Sequence, residues 1–345
     1  MKPFDIDVLN QIKEELFSLN GNFVIVPHVN PDGDAIGSAL GLAGILKNWG
    51  RNVTVIAPSK YPDFLNWMTG NEEVLVYSSN KKESEKLIQE SAMLICVDFN
   101  HISRAGELKN LVTNYSGTSV LIDHHPNPES FTRYVVSHPE CSSTAELIYQ
   151  FVKEMGLKEH VDMDAAEALF CGIMTDTGSF DYNVSDPQTF QIVSELLELG
   201  IDQDKIHSLV YDNYSADRMR LMGYCLSECM EVYPEYHAAV MYLSKEVQKK
   251  FNFVTGDNES FVNLPLSIKG VHFSTLFTEK ENHVKASFRS KGDFPVNEFA
   301  RKNFNGGGHR NAAGGELFAS LKEAMDKFRA LLPVYQDELI GTKTD

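Results

Sequence analysis

The chain has 345 residues, too many for one ordinary core and comfortable for two domains. Hydrophobic residues make up 43% and charged residues 23%, the balance of a globular protein. No apolar run approaches the roughly 20 residues that cross a bilayer, and the first residues lack a basic stretch followed by an apolar core. A cytoplasmic protein without membrane partners is expected. The formal net charge of −17 argues against a broad basic face for long DNA or RNA, so a nucleic-acid ligand should be small and held by a few local cations.

Along the first half, short apolar runs alternate with helical patterns. Residues 23–26 read as a buried strand. A helix follows, with Ile36, Leu40, Ala43 and Leu46 on one stripe and Gly50 as its stop. Residues 53–56, 93–97 and 119–122 read as further strands, and such wholly apolar runs suit a parallel sheet covered on both faces. Ser143 and Glu146 predict a capping box for a helix that Gly156 ends. Asp162 or Asp164 caps the next helix, and Asp186 with Pro187 opens another that Gly200 stops. Residues 201–232 read as a helical connector. Beyond it, residues 237–243, 271–278 and 284–289 read as strands. A helix at 296–304, a glycine loop and a helix capped by Ser320 and Glu323 complete a smaller α/β unit with a mixed sheet. The expected domains are therefore 1–200, the connector 201–232, and 233–340. Five cysteines (Cys96, Cys141, Cys171, Cys225 and Cys229) are an odd number thinly spread, which argues against a disulfide framework. The Cys225 and Cys229 pair reads as ordinary semi-buried thiols.

Four segments carry chemistry, each at the end of an apolar strand or helix. They are His28-Val29-Asn30-Pro31-Asp32-Gly33-Asp34, then Asp98, then Asp123-His124-His125, and last Asp176. An Asp closing a strand is usually a turn or cap residue, and a lone His is usually structural. The set is different, because in an open parallel sheet the carboxyl ends of the strands line one crevice. Carboxylates gathered there repel one another unless protons or cations intervene. Oxygen and imidazole ligands without thiolate suit two divalent ions, Mn²⁺ first, with Mg²⁺, Co²⁺ or Zn²⁺ as alternatives. Such ions lower the pKa of water and make hydroxide available for attack on phosphorus. Farther on, Gly306-Gly307-Gly308-His309-Arg310 reads as an anion-binding nest, in which Gly307, Gly308, His309 and Arg310 contact phosphate. Arg289-Ser290-Lys291 closes a strand and reads as a second phosphate clamp.

These motifs together resemble the DHH phosphoesterase superfamily, and residues 306–315 resemble the signature of the domain that accompanies it in one branch. That branch includes RecJ exonucleases and bacterial oligoribonuclease/pAp phosphatases, the second being the nearer match in length and domain order. The resemblance implies that His28, Asp32 and Asp98 hold one metal and that Asp34, Asp98, His124 and Asp176 hold the other, with Asp98 bridging. It implies that Asp123 orients the histidines while His125 faces the scissile phosphate. Arg104, Arg289, Ser290, His309 and Arg310 would contact substrate. The function so implied is degradation of short single-stranded oligoribonucleotides, about two to five nucleotides long, and removal of the 3′-phosphate of adenosine 3′,5′-bisphosphate (pAp). A homodimer is expected by the same analogy. Cleavage of cyclic di-AMP or pApA is the alternative, followed by exopolyphosphatase or pyrophosphatase activity. A non-catalytic nucleotide sensor is the reading from another class; loss of a ligand would favour it, and no ligand is missing.

Overall fold

The computed structural model describes residues 4–342 except residue 213. The chain forms two compact units that divide after residue 213. In the first, helix α1 (Ile6–Ser18) is capped by the Asp5 carboxylate and precedes strand β1 (Asn22–Val26). Helix α2 (Gly33–Asn48), β2 (Asn52–Ala57), β3 (Leu75–Val76), α3 (Lys81–Glu90), β4 (Met93–Val97), α4 (Lys109–Thr113), β5 (Thr118–Asp123) and β6 (Tyr134–Ser137) follow. Then come α5 (Thr144–Met155), α6 (Met163–Asp176), α7 (Pro187–Leu197) and α8 (Gln203–Tyr211).

All pairings in this sheet are parallel, in the order β3-β2-β1-β4-β5-β6. Side chains alternate along each strand, so the sheet feeds two cores. Phe23, Ile25, Ile95, Val97 and Ile122 face α1, α2 and α5–α8. Val24, Val26, Leu94, Cys96 and Leu121 face Ile88 of α3, Leu108 and Val112. Both faces are thus covered, and the strands read as unbroken apolar runs because neither face meets water. The chain order reverses direction between β1 and β4, where the ends of neighbouring strands leave an open crevice.

The second unit holds α9 (Ala216–Glu228), β7 (Met230–Tyr233), β8 (Ala238–Leu243), α10 (Lys245–Lys250), β9 (Phe273–Glu279) and β10 (Val284–Ser290). It continues with α11 (Val296–Asn303), β11 (Gly307–Gly308), β12 (Ala312–Leu317), α12 (Leu321–Leu331) and α13 (Gln336–Ile340). Its sheet runs β11-β12-β10-β9-β8-β7 and is mixed: β8 and β9 are parallel, and every other pair is antiparallel. Phe273, Phe277, Phe288, Phe299, Phe304 and Phe328 fill one face with rings in edge and tilted contact, an arrangement their quadrupoles favour. The stretch 201–232, read from sequence as a connector, splits between the units. Ile206 and Val210 of α8 join the first core, while Leu221 and Cys225 of α9 join a core of the second. The last residues of the stretch, 230–232, belong to strand β7 rather than to a helix.

The boundary signals act largely as expected. Ser320 and Glu323 form a reciprocal capping box, Asp162 and Asp186 cap α6 and α7, and Gly156 ends α5 in the left-handed conformation. The Ser143 and Glu146 box is only half made. Ser143 Oγ accepts from the Glu146 amide, but the Glu146 carboxylate turns away to Ser142 and to the Thr189 hydroxyl. All five cysteines are buried free thiols. Among the described residues no helix is long and apolar enough to cross a membrane.

Candidate metal centre

Three of the four chemistry-bearing segments leave the sheet at its carboxyl edge, and the fourth ends a helix. β1 delivers His28, and the turn after it places Asp32 as the N-cap of α2, its side chain accepting from Ala35 N at 3.0 Å. Asp34 lies in the first turn of that helix and is 2% exposed. β4 ends in Asp98, which adopts a left-handed φ of 67°. β5 ends in Asp123, followed by His124 and His125, and α6 ends in Asp176.

Backbone carbonyls set the tautomers of two histidines. His28 donates from Nδ1 to Val29 O at 2.8 Å, and His124 donates from Nδ1 to Cys141 O at 3.2 Å. The Nε2 atoms of both are left to face carboxylates. His28 Nε2 is buried, lacks a hydrogen-bond partner, and stands 3.3 Å from Asp98 Oδ2 and 3.6 Å from Asp32 Oδ2. His124 Nε2 stands 3.4 Å from Asp176 Oδ2, 3.8 Å from Asp98 Oδ1 and 3.9 Å from Asp34 Oδ2. These separations exceed the usual hydrogen-bond range. They suit lone pairs converging on a shared ion, since ligand atoms about 2.1 Å from one ion sit roughly 3–3.5 Å apart.

Two of the candidate groups correspond to the sets read from sequence, His28 with Asp32 and Asp98, and Asp34 with His124 and Asp176, and Asp98 also groups with Asp123 and His125; the ligand atoms within each group lie within 4.8 Å of one another. Asp98 turns Oδ2 to the first group and Oδ1 to the second. The donor set therefore fits two divalent cations sharing one carboxylate, and the orphaned Nε2 of His28 is the atom such a cation would satisfy.

The electrostatics agree. Burial, together with the charges of Asp98 and Asp176, holds the Asp34 carboxyl well above the usual carboxylate range. Burial and the Arg104 charge pull His28 down, yet the Asp32 and Asp98 carboxylates outweigh them and push it up to about 9. Burial pushes Asp123 up to about 6, against the pull of His124. Burial and the neighbouring Arg104 hold His125 well below its ordinary value. Its ring is therefore neutral, donating from Nδ1 to Asp123 Oδ1 at 2.8 Å while Nε2 accepts from Arg104 at 2.8 Å. Arg104, singled out in the sequence apart from the Asp123-His124-His125 segment, thus joins Asp123 and His125 in one chain of contacts.

In the second unit the residues read as anion contacts lie on β10 and on the β11–β12 hairpin, and the glycine run has a different geometry from the one read in sequence. Gly307 and Gly308 are strand β11, paired with Gly314 and Ala313 of β12, so the glycine run is one side of a hairpin whose turn is 309–311. A Cβ on Gly306 would stand 2.0 Å from Gly314 O, and one on Gly308 would stand 2.5 Å from Ala312 O. Close backbone approach is thus what requires glycine there. The His309 and Gly306 amides donate to Ala312 O and Ala300 O, so they do not point outward as an open nest would demand. Ser290 is buried, donates to Phe294 O at 2.7 Å and accepts from Asn311 at 2.9 Å; it ties β10 to the hairpin turn rather than offering its hydroxyl to a ligand. Arg289 directs an N–H to Phe288 O, and Arg310 pairs with Asp293 at 3.1 Å with 60% of its side chain exposed. His101, beside Asp98 in sequence, pairs instead with Glu129.

Sequence reasoning missed Cys141, whose carbonyl orients His124, and Thr144, whose hydroxyl donates to Asp98 Oδ1 at 2.8 Å. A Ser-Ser-Thr run before a helix signals capping, and capping hides any second role.

Residues 22–173 match the DHH family N-terminal domain, and residues 236–333 match the DHHA1 domain. The chain is 28% identical over 309 residues to the bifunctional oligoribonuclease and PAP phosphatase NrnA of Bacillus subtilis, covering 88% of this chain and 91% of that one. It is 30% identical over 309 residues to the probable bifunctional oligoribonuclease and PAP phosphatase NrnA of Streptococcus mutans, covering 89% and 93%. Its fold is similar to the crystal structure of an exopolyphosphatase-related protein from Bacteroides fragilis, with a TM-score of 0.93, 42% identity, and coverage of 98% and 99%. With relatives aligned over both domains and the acidic and histidine groups gathered at one sheet edge, the chain belongs to the DHH family of phosphoesterases, in the branch that carries a DHHA1 domain.

Proposed function

We propose that this chain hydrolyses short oligoribonucleotides and removes the 3′-phosphate of pAp, with Mn²⁺ as the preferred ion. The observation that carries the reading is the division of Asp98 between two ligand groups, one oxygen to each. The names of the two relatives supply the substrate class. His28, Asp32 and Asp98 would hold one cation, and Asp34, Asp98, His124 and Asp176 the other. When bound, the two ions supply Lewis acidity and a nucleophile at neutral pH.

The remaining work falls to side chains of the first unit. Arg104 is a fixed positive charge beside the metal ligands, and a phosphate oxygen is a stronger acceptor for it than the neutral Nε2 of His125. Once Arg104 turns to the phosphate, the charge that depresses His125 moves away from it, so Nε2 would take a proton from solvent and donate it to the leaving oxygen, with Asp123 holding the ring in place through Nδ1. In the second unit, Arg289, His309 and Arg310 supply the cationic groups for the distal phosphate or nucleotide, and Gly307 and Gly308 give the hairpin its close backbone path. Ser290 contributes by fixing that hairpin.

The test is release of phosphate and AMP from pAp, pApA, cyclic di-AMP, a five-nucleotide RNA, pyrophosphate and polyphosphate, after chelation and after adding back Mn²⁺. Turnover of pAp and the short RNA that vanishes on chelation is the expected result. Turnover confined to cyclic di-AMP, or to pyrophosphate and polyphosphate, would keep the metal chemistry and overturn the substrate.

A further inference from the structure

The segment 141–146, between β6 and the body of α5, contacts the metal-site side chains at four points. The Cys141 carbonyl accepts from His124 Nδ1 at 3.2 Å. The Thr144 and Ala145 amides donate to Asp34 Oδ2 and Oδ1 at 2.7 and 2.9 Å. The Thr144 hydroxyl donates to Asp98 Oδ1 at 2.8 Å. The segment is itself anchored from behind. The buried Glu146 carboxylate accepts from Ser142 N, Ser142 Oγ and Thr189 Oγ1 at 3.0, 2.6 and 2.8 Å, which locks the start of α5 to α7. This is why Glu146 abandons the reciprocal half of the capping box.

We propose that Thr144 is a positioning residue of the metal centre, whose hydroxyl fixes the rotation of the Asp98 carboxylate so that Oδ1 serves one cation and Oδ2 the other. The inference rests on the two-cation reading above. An Asp has two side-chain torsions, and the terminal one is broad, so a bridging carboxylate needs an outside partner to hold both oxygens in register. Asp34 is held from both of its oxygens by backbone amides, which no side-chain change at that helix end can remove. Asp98 depends on a hydroxyl, which can be removed. The backbone of Asp98 already sits in the left-handed region, so rotation about its side chain is the remaining freedom at this position. A carboxylate that turns loses the shared geometry and leaves the Asp34, His124 and Asp176 group one oxygen short. Thr144 is fully buried, so solvent offers no substitute donor.

The experiment is Mn²⁺ titration calorimetry of the chelated protein, comparing wild type with Thr144→Val, Thr144→Ala and Thr144→Ser, alongside the melting temperature of each metal-free variant. Wild type binding two ions supports the underlying reading, and wild type binding none overturns that reading itself. With wild type binding two, Thr144→Val and Thr144→Ala are expected to weaken one of the two sites by about 10–100-fold, the usual effect of losing an outer hydrogen bond to a ligand. Thr144→Ser is expected to stay within about threefold of wild type. Two ions bound with unchanged affinity by a folded Val or Ala variant would overturn the role of the hydroxyl. So would loss of affinity in Thr144→Ser equal to that in Thr144→Ala, since packing alone would then explain the effect. Should Thr144→Val fail to fold, the Ala and Ser pair decides by the same criterion.

Discussion

Asp98 occupies a backbone conformation that disfavours most side chains by about 1–2 kcal/mol. Its amide still donates to Ile122 O on the neighbouring strand, so the residue is the last of the β4 ladder and the first of the crevice. Strain at that point is tolerated where the surrounding strands over-determine it. His28 beside it has a measurable signature. Its pKa is raised from 6.5 to about 9, so the stability it contributes is fully present below about pH 6.5 and is lost as pH rises through about 9. The chelated protein is therefore expected to lose melting temperature between pH 6.5 and 9, and His28→Gln should flatten that slope. Thermal melts across the range check this; parallel slopes for the two proteins would show that His28 contributes nothing to it. At this scale the gathering of His28, Asp34, Asp98 and His124 at one edge was legible because a charged side chain ending an apolar run is conspicuous. Thr144 was not, because a threonine at a helix start has an ordinary capping explanation. Ser290 is a related case: a hydroxyl beside basic residues reads as a ligand contact, and the structure gives it internal partners in Phe294 O and Asn311.

Helices α2, α5 and α6 approach one another closely enough that glycine is required where they meet. A Cβ at Gly37 would lie 2.4 Å from Ala168 O, and one at Gly172 would lie 2.6 Å from Ala145 Cβ and 2.9 Å from Asp34 Oδ1. The backbone of Ala168 cannot yield cheaply, so Gly37→Ala is expected to destabilise by about 1–3 kcal/mol through overpacking. Gly223 is an internal control. It is exposed in α9 with nothing within 4 Å of its added Cβ, so Gly223→Ala should stabilise by about 0.5–1 kcal/mol through helix propensity. Urea melts of the two variants give opposite shifts in midpoint; a neutral Gly37→Ala would mean that α2 and α6 can separate without penalty. The long elements were legible because their caps and periodicity agree. The glycine hairpin reads from sequence as an open loop, because close backbone approach and anion binding call for the same residue. β3 and β11, each two residues long, leave no periodicity to find. The split of 201–232 between the units was hidden for another reason: which core a helix joins depends on packing, and α8 and α9 carry similar patterns.

Each unit has its own cores, and every proposed metal ligand belongs to the first. Cation binding should therefore slow hydrogen exchange where the ligands are anchored and leave the other sheet alone. Adding Mn²⁺ to the chelated protein is expected to protect amides at the carboxyl ends of β1, β4 and β5 and in the first turns of α2 and α5, with β8, β9 and β10 unchanged. Mass-resolved exchange reads both regions in one experiment. Equal protection of β9 and β10 would place an ion contact in the second unit. The two-domain division was legible in outline, since strands bounded by helices gave way to strands with alternating polarity, as in the Val284, Ala286 and Phe288 series of β10.

The ligand-bearing residues run from His28 to Asp176, well before the division at 213. A ribosome adds about 5–20 residues per second, so the first unit emerges and can take up its cations seconds before the second has been made. On the two-cation proposal, metal loading would then begin while the second unit is still being made. It would neutralise a cluster of carboxylates that the His28 and His124 rings and the Thr144 and Ala145 donors of the same unit already gather at one sheet edge.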